Sequence, residues 1–275
     1  MVRRFKWVVF ALVVLFVAAL AVGCGGQAPK DAGKKEGAQP QQQAPKQKII
    51  VGSDTTFAPL EFQDQKTGKY VGFDVDLIYE IAKVENLEVD FRSMPFDGLI
   101  AGLVANQIDV AISSMSITEK RKESIDFSEP YYKSGLCVAV QSKNEKIKGL
   151  DDLKGKTIAA QSGTTGETEA KKIEGAKVRS FTNSDQTFME LKNGGVEAVI
   201  NDYPVTQYFI KQGNSDVKIV GGRFDSEDYG IAVPKGKTEL LNKINHGLRE
   251  LKKNGKFKEF YMKWFGEEPP KELLQ

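Results

Sequence analysis

FDVDLIYEIAKVENLEVDFRSMPFDGLIAGLVANQIDVAI, residues 73–112, alternates two hydrophobic periods. From Phe73 to Val84 the apolar residues Val75, Ile78, Ile81 and Ala82 recur at helical spacing. Leu87 to Phe91 alternates apolar and polar residues and predicts a strand. Phe96 to Ala105 returns to the helical period, with Leu99, Ile100, Leu103 and Val104 on one face. Ile108 to Ile112 is extended again, and Ile49 to Gly52 supplies a strand ahead of the first helix. The resulting βαβαβ order predicts an α/β layered domain built on a mainly parallel sheet.

The pattern then repeats. Strands are expected at Gly135–Val140, Thr157–Ala160, Lys177–Phe181 and Glu197–Asn201. Between them lie a helical turn at Leu150–Leu153 and helices at Glu167–Lys172, Gln186–Lys192 and Pro204–Lys211. Tyr229–Val233 reads as extended, Leu240–Lys253 as a long amphipathic helix, and Phe257–Phe265 closes the body with aromatic residues. Two α/β units of roughly 100 residues each account for this body.

The first 47 residues belong to neither unit. Arg3, Arg4 and Lys6 precede an uncharged apolar run, Trp7 to Val22, in the pattern of an export signal rather than a membrane span. Leu20-Ala21-Val22-Gly23-Cys24 resembles a bacterial lipoprotein cleavage site, with Ala21 where that pattern prefers Leu. Cys24 is therefore the expected lipidation site and residues 1–23 the removable segment. Residues 24–47 contain no Val, Ile, Leu, Met or aromatic side chain and read as a solvated tether. Such a protein would be held to the outer face of a cell membrane, as suits a Gram-positive type of envelope.

Of 275 residues, 39 are Lys or Arg and 37 Asp or Glu. Without Arg3, Arg4 and Lys6 the count is 36 against 37, a net charge of −1. No whole-molecule field favours nucleic acid. Two Cys and one His exclude a disulfide scaffold and a Cys/His zinc site, and no cofactor is expected. Cys137, in the apolar run Leu136–Val140, reads as a buried strand thiol.

In open α/β sheets, ligands bind beyond the carboxyl ends of the strands. Those ends here carry Asp54, Phe57 and Glu61, then Ser113, Ser114, Ser116 and Arg121, then Gln161, Thr164 and Thr165, and finally Asp202. Phe96 precedes the second helix. Arg121 suits a bidentate grip on a carboxylate, the helix opening at Thr165 favours an anion, and Asp202 can receive an ammonium. These are complementary halves for a zwitterion such as a free amino acid. No nucleophile–base pair stands among them.

The segments DTTFAPLEF (54–62), YVGFDVDL (70–77), FDGLIAGL (96–103) and IDVAISSMSITEKRKESIDFSEPYYKSG (108–135) resemble the polar amino-acid-binding proteins of ABC transporters. LKGKTIAAQSGTT (153–165), EAVINDYP (197–204), YGIAVPKG (229–236) and YMKWFG (261–266) continue the resemblance in register. It implies a two-lobed, periplasmic-binding-protein-like fold of type II that closes on its ligand. Residues 48–135 plus 229–270 would form one lobe and 136–228 the other, with crossings at Lys133–Cys137 and Glu227–Ile231. It also implies roles. Arg121, Ser116 and the Thr165 N–H would hold the α-carboxylate. Asp202 and the Ser114 carbonyl would hold the α-ammonium. Phe57 and Phe96 would sandwich the side chain, with Asp54 at its far end. The implied partner is a membrane permease, and the protein a monomer.

Departures bear on specificity. Glutamine binders of this family typically place Lys at the position of Gln161, His at that of Asn201, and Ala-Gly at Ser113-Ser114. The Ser-Ser-x-Ser-Ile-Thr run resembles the basic amino-acid binders. A cationic side chain would avoid a nearby Lys, while Asp54, aided by Glu61, supplies opposite charge. Arginine, lysine, histidine or ornithine is the expected ligand. The alternative is glutamine, and a remoter one is a dehydratase-type enzyme on the same fold.

Overall fold

The structure is a computed structural model that describes residues 46–274. The expected signal segment, Cys24 and most of the tether lie outside the described residues. The tether's last residue, Gln47, already begins a strand.

The first sheet grows from the opening half of the chain. Strand β1 (Gln47–Ser53) leads into three short strands, β2 (Thr56–Phe57), β3 (Glu61–Gln63) and β4 (Tyr70–Val71), which form a small antiparallel sheet of their own. Helix α1 (Phe73–Val84), β5 (Leu87–Ser93), α2 (Phe96–Val104), β6 (Val110–Ala111), the single turn α3 (Glu119–Lys122) and β7 (Ile125–Phe127) follow. A long strand, β8 (Tyr132–Gln141), then enters a second sheet. That sheet is completed by β9 (Thr157–Gln161), α4 (Thr165–Lys172), β10 (Lys177–Phe181), α5 (Ser184–Lys192), β11 (Ala198–Asp202) and α6 (Tyr203–Lys211). Strand β12 (Val217–Tyr229) returns, β13 (Ala232–Pro234) joins the first sheet, and α7 (Thr238–Lys253) and α8 (Lys256–Phe265) pack against α1 and each other.

Strand order is β5-β1-β6-β13-β7 in the first sheet and β10-β9-β11-β8-β12 in the second. The expected βαβαβ series is present, but the sheets are mixed rather than mainly parallel. β5, β1 and β6 run parallel, as do β10, β9 and β11, whereas β13, β8 and β12 pair antiparallel to their neighbours. The cause is topological. A strand arriving from the other sheet enters at the connecting end and runs against the strands that end there.

β8 and β12 are paired from Tyr132↔Tyr229 to Gln141↔Val217. The pairing shifts register between Val220 and Arg223 and between Phe224 and Ser226, where Gly221, Gly222 and Asp225 all have positive φ. Most of β12 has no period-2 apolar signal, which is why the sequence showed only its last residue as extended.

Helix α1 explains the packing of the first sheet. It buries Phe73, Val75, Leu77, Ile78, Ile81 and Ala82. Gly247 of α7 lies so close that a Cβ there would stand 2.9 Å from Ile81 Cγ2. Phe73 meets Tyr131, Tyr132, Phe257, Tyr261 and Phe265 with ring centroids 5.2–6.3 Å apart. Removing that ring leaves a cavity among five others. Phe73→Ala is expected to lower stability by about 3–5 kcal/mol, whereas Val104→Ala on the exposed face of α2 should stay within about 0.5 kcal/mol. Urea unfolding of the two variants checks the contrast.

Candidate functional site

The twelve candidate side chains surround one narrow, nearly closed cavity between the two sheets, with about 10 Å³ of room for water-sized molecules. Each reaches it for a local reason. Asp54 follows β1 and closes an Asx turn: its Oδ1 accepts from Thr56 N at 3.0 Å and Thr56 Oγ1 at 2.6 Å. Its Oδ2 accepts from Phe96 N, at the start of α2, at 3.1 Å and from Gln161 Nε2, at the end of β9, at 2.8 Å. The last bond joins the two halves of the cleft. Burial raises the Asp54 carboxyl above its ordinary value, and these four donors oppose that rise.

Arg121, buried on α3, is no surface ion pair. Its Nη1 donates to Ser116 O at 2.7 Å and its Nη2 to Gly163 O at 3.1 Å, the second bond again crossing the cleft. The guanidinium carbon lies 5.3 Å from the centroid of Phe96, so one face of that ring is covered by cation. Burial lowers the Arg121 value, while the acids Glu227 and Asp202 oppose the shift. A guanidinium remains charged throughout.

The loop before α4 comes close enough to accept Arg121 because residue 163 is glycine. Its φ is +77°, and a Cβ there would stand 3.0 Å from Asp97 Cα. Thr164 caps the helix: its Oγ1 accepts from Glu167 N and donates to Gln161 O. Thr165 is then the first residue of α4, with its helix N-terminus toward Arg121 and Glu227.

Asp202 ends β11 and precedes α6. Its Oδ2 accepts a short hydrogen bond from the Tyr229 hydroxyl, which is also 2.8 Å from Ser134 Oγ. Burial, and next the charge of Glu227, push the Asp202 carboxyl well above its ordinary value. Phe57 and Phe96 both line the cavity and are almost wholly buried.

Two parts of the specificity reading change. Glu61 lines the cavity, but its surroundings disfavour a second negative charge beside Asp54. It is wholly buried; Ser113 Oγ donates to its Oε1 at 3.1 Å and Ser114 Oγ to its Oε2 at 3.0 Å. Burial, and then the charge of Asp74, push its carboxyl well above its ordinary value, which favours the protonated form. Asn201 does not line the cavity: its Nδ2 donates to Ser184 Oγ and its Oδ1 accepts from Asp202 N.

Three polar residues escaped the sequence reading. Asp74 lies on the apolar face of α1 beside Phe73 and Leu77, which was the available signal. Its Oδ2 accepts from Ser114 N at 2.8 Å and the Tyr131 hydroxyl at 2.7 Å. Glu227 entered the sequence reading only as the first residue of the crossing Glu227–Ile231; β12 turns it toward the Arg121 guanidinium and the Ser116 and Thr165 side chains. Tyr229 gave no signal as a partner of Asp202, since only strand pairing brings the two together.

The family of bacterial extracellular solute-binding proteins, family 3, matches residues 49–267. An ancestral arginine-binding protein bound to arginine has 47% identity and a TM-score of 0.78, covering 81% of this chain and 100% of that one. An ancestral arginine-binding protein bound to glutamine has 48% identity and a TM-score of 0.77, covering 80% and 98%. The ABC transporter glutamine-binding protein GlnH of Bacillus subtilis is 32% identical over 266 residues, 94% of this chain and 97% of its own.

Burial pushes the Asp74 carboxyl up to about 7. A carboxyl that holds its proton more tightly when folded stabilises the fold while protonated. That contribution fades as pH climbs from about 4, the unfolded value, to 7. Asp74→Asn removes the titration. The Tm of Asp74→Asn minus that of the parent is therefore expected to rise between pH 4.5 and 8, as read by thermal melts. A constant offset would contradict it.

Proposed function

The chain belongs to the bacterial extracellular solute-binding proteins of family 3, and we propose that it captures a free cationic L-amino acid for an ABC importer. Members of this family act outside the cytoplasm, and the Bacillus subtilis relative is an ABC transporter binding component, which fits a non-enzymatic role. The observation that carries the ligand class is the charge of the cavity wall. Apart from Arg121, no cation lines it, and at one end Asp54 meets only neutral donors, including Gln161. An amino acid's side-chain cation answers Asp54 without meeting a like charge.

In this reading Arg121 and the N–H of Thr165 receive the α-carboxylate. A helix N-terminus and a guanidinium together favour an anion at that end. Asp202 and the Ser114 carbonyl receive the α-ammonium. The aliphatic stem lies against Phe57 and Phe96, and cation–π contact adds about 0.5–2 kcal/mol. The ligand takes over or shares the donors that Gln161 and Phe96 now direct at Asp54. Because Gln161 and Gly163 come from the second sheet, ligand contacts on both sides favour closure, and the closed form is what a permease recognises. A lipid on Cys24 would keep this monomeric binder at the membrane surface. Glutamine is the second reading, supported by the neutral amide of Gln161 beside Asp54 and by the arginine-binding relative that was solved with glutamine.

Titration calorimetry on refolded, ligand-free protein tests the choice. Arginine or lysine is expected to bind at least about 30-fold more tightly than glutamine; the reverse order selects the glutamine reading. Asp54→Asn should weaken arginine about 10- to 100-fold and glutamine by less than about 3-fold. Equal losses would mean that Asp54 serves only its turn.

Arg121→Ala should cost every amino acid about 100-fold or more, since the α-carboxylate loses its charged partner in a buried site. Affinity within about 3-fold of the parent would remove Arg121 from the carboxylate site.

A further inference from the structure

Ser114 is an L-residue held at φ +49°. The left-handed region is disfavoured for a side chain with a Cβ, and residues kept there need surroundings that over-determine them. The surroundings here are two carboxyls. Ser114 N donates to Asp74 Oδ2 at 2.8 Å and Ser114 Oγ donates to Glu61 Oε2 at 3.0 Å. The same pair holds the preceding residue, because Glu61 Oε1 accepts from Ser113 Oγ, which in turn accepts from Asp54 N at 2.9 Å. The same Asp74 oxygen also accepts from the Tyr131 hydroxyl at 2.7 Å, and the residue is held in the first turn of α1.

The pair is expensive. Glu61 and Asp74 are both fully buried, and neither forms an ion pair with any described Lys, Arg or His. Two adjacent carboxyls away from water and cations must share a proton, and a proton on Glu61 supplies a donor to Asp74. Polar groups that lower stability in this way concentrate where they set a functional geometry.

We propose that the Glu61–Asp74 pair is the positioning device of the α-ammonium site, holding Ser114 left-handed so that its backbone carbonyl is presented to the ligand. The inference rests on the amino-acid-binding reading above. Neither carboxyl needs to touch the ammonium. Both act through Ser114, whose carbonyl accepts no hydrogen bond from the described residues. Through Ser113 the same pair steadies the backbone of Asp54, so one buried unit braces both ends of the cavity. A glycine at position 114 would adopt this backbone without the anchors.

The test compares arginine with its des-amino analogue, 5-guanidinopentanoate, by calorimetry on the full chain. Asp74→Ala is expected to weaken arginine about 30-fold and the analogue by less than about 3-fold, so the preference for the amino group collapses. Adding Ser114→Gly to Asp74→Ala should restore arginine to within about 3-fold of the parent. Equal weakening of both ligands, or no restoration by glycine, overturns the proposal. If Asp74→Ala does not fold, Glu61→Gln decides. Its NH2 cannot accept from a serine hydroxyl, so one of the two serine anchors is lost: the preference for the amino group should fall about 10-fold, and a preference kept within about 3-fold overturns the proposal. Parent protein that prefers glutamine would overturn the cationic reading alone. The same ratio is then read with glutamine and its des-amino analogue, because the α-ammonium end is common to both.

Discussion

The antiparallel ladder of β8 and β12 is the constraint on which the rest depends. It runs from Tyr132↔Tyr229 at the first sheet to Gln141↔Val217 deep in the second, and carries the chain out and back. An intact ladder couples the two crossings into one ribbon rather than two independent links. Its register shifts, beside Gly221, Gly222 and Asp225, break the regular hydrogen bonding and let the strand bend. The ladder also delivers chemistry. Tyr229, at its end, meets Asp202 of the second sheet, and Glu227, two residues earlier, meets Arg121 of the first.

The cleft that this ribbon spans is organised by charge held away from water. Arg121 faces two acids whose own carboxyls are raised by burial, so the cation is balanced without a fully formed ion pair on either side. Buried charges of this kind are poor sources of stability and good sources of selectivity. At the opposite end Asp54 is satisfied by neutral donors alone. Glycine at 163 permits the second sheet's loop to approach Asp97 and close the gap.

Much of the fold was legible because hydrophobic period reports burial directly. The reading of α1 as Phe73–Val84 matches its observed bounds, as does that of β10 as Lys177–Phe181. What escaped were short elements paid for by tertiary pairing. The two-residue strands β2 and β4 and the one-turn α3 have too few residues to show a period. The gathering of the twelve residues around one cavity was legible too, since strand ends converge in a layered α/β sheet. The states of those residues were not. Glu61 looks like any acid near Asp54 until Asp74 stands beside it, and Asn201 looks like a wall residue until Ser184 takes its amide.

The sequence by itself therefore determined the layer architecture, the order of its elements and the kinds of group that face the cleft. These follow from local period and from the position of residues relative to strand ends. Only the tertiary structure decided that the sheets are mixed, that burial raises the Glu61 carboxyl, and that Glu227 faces Arg121. Strand direction depends on where the chain re-enters a sheet, and protonation depends on which charges burial brings together. Both are set by contacts between residues far apart in the chain, such as Glu61 with Ser114 and Tyr229 with Asp202.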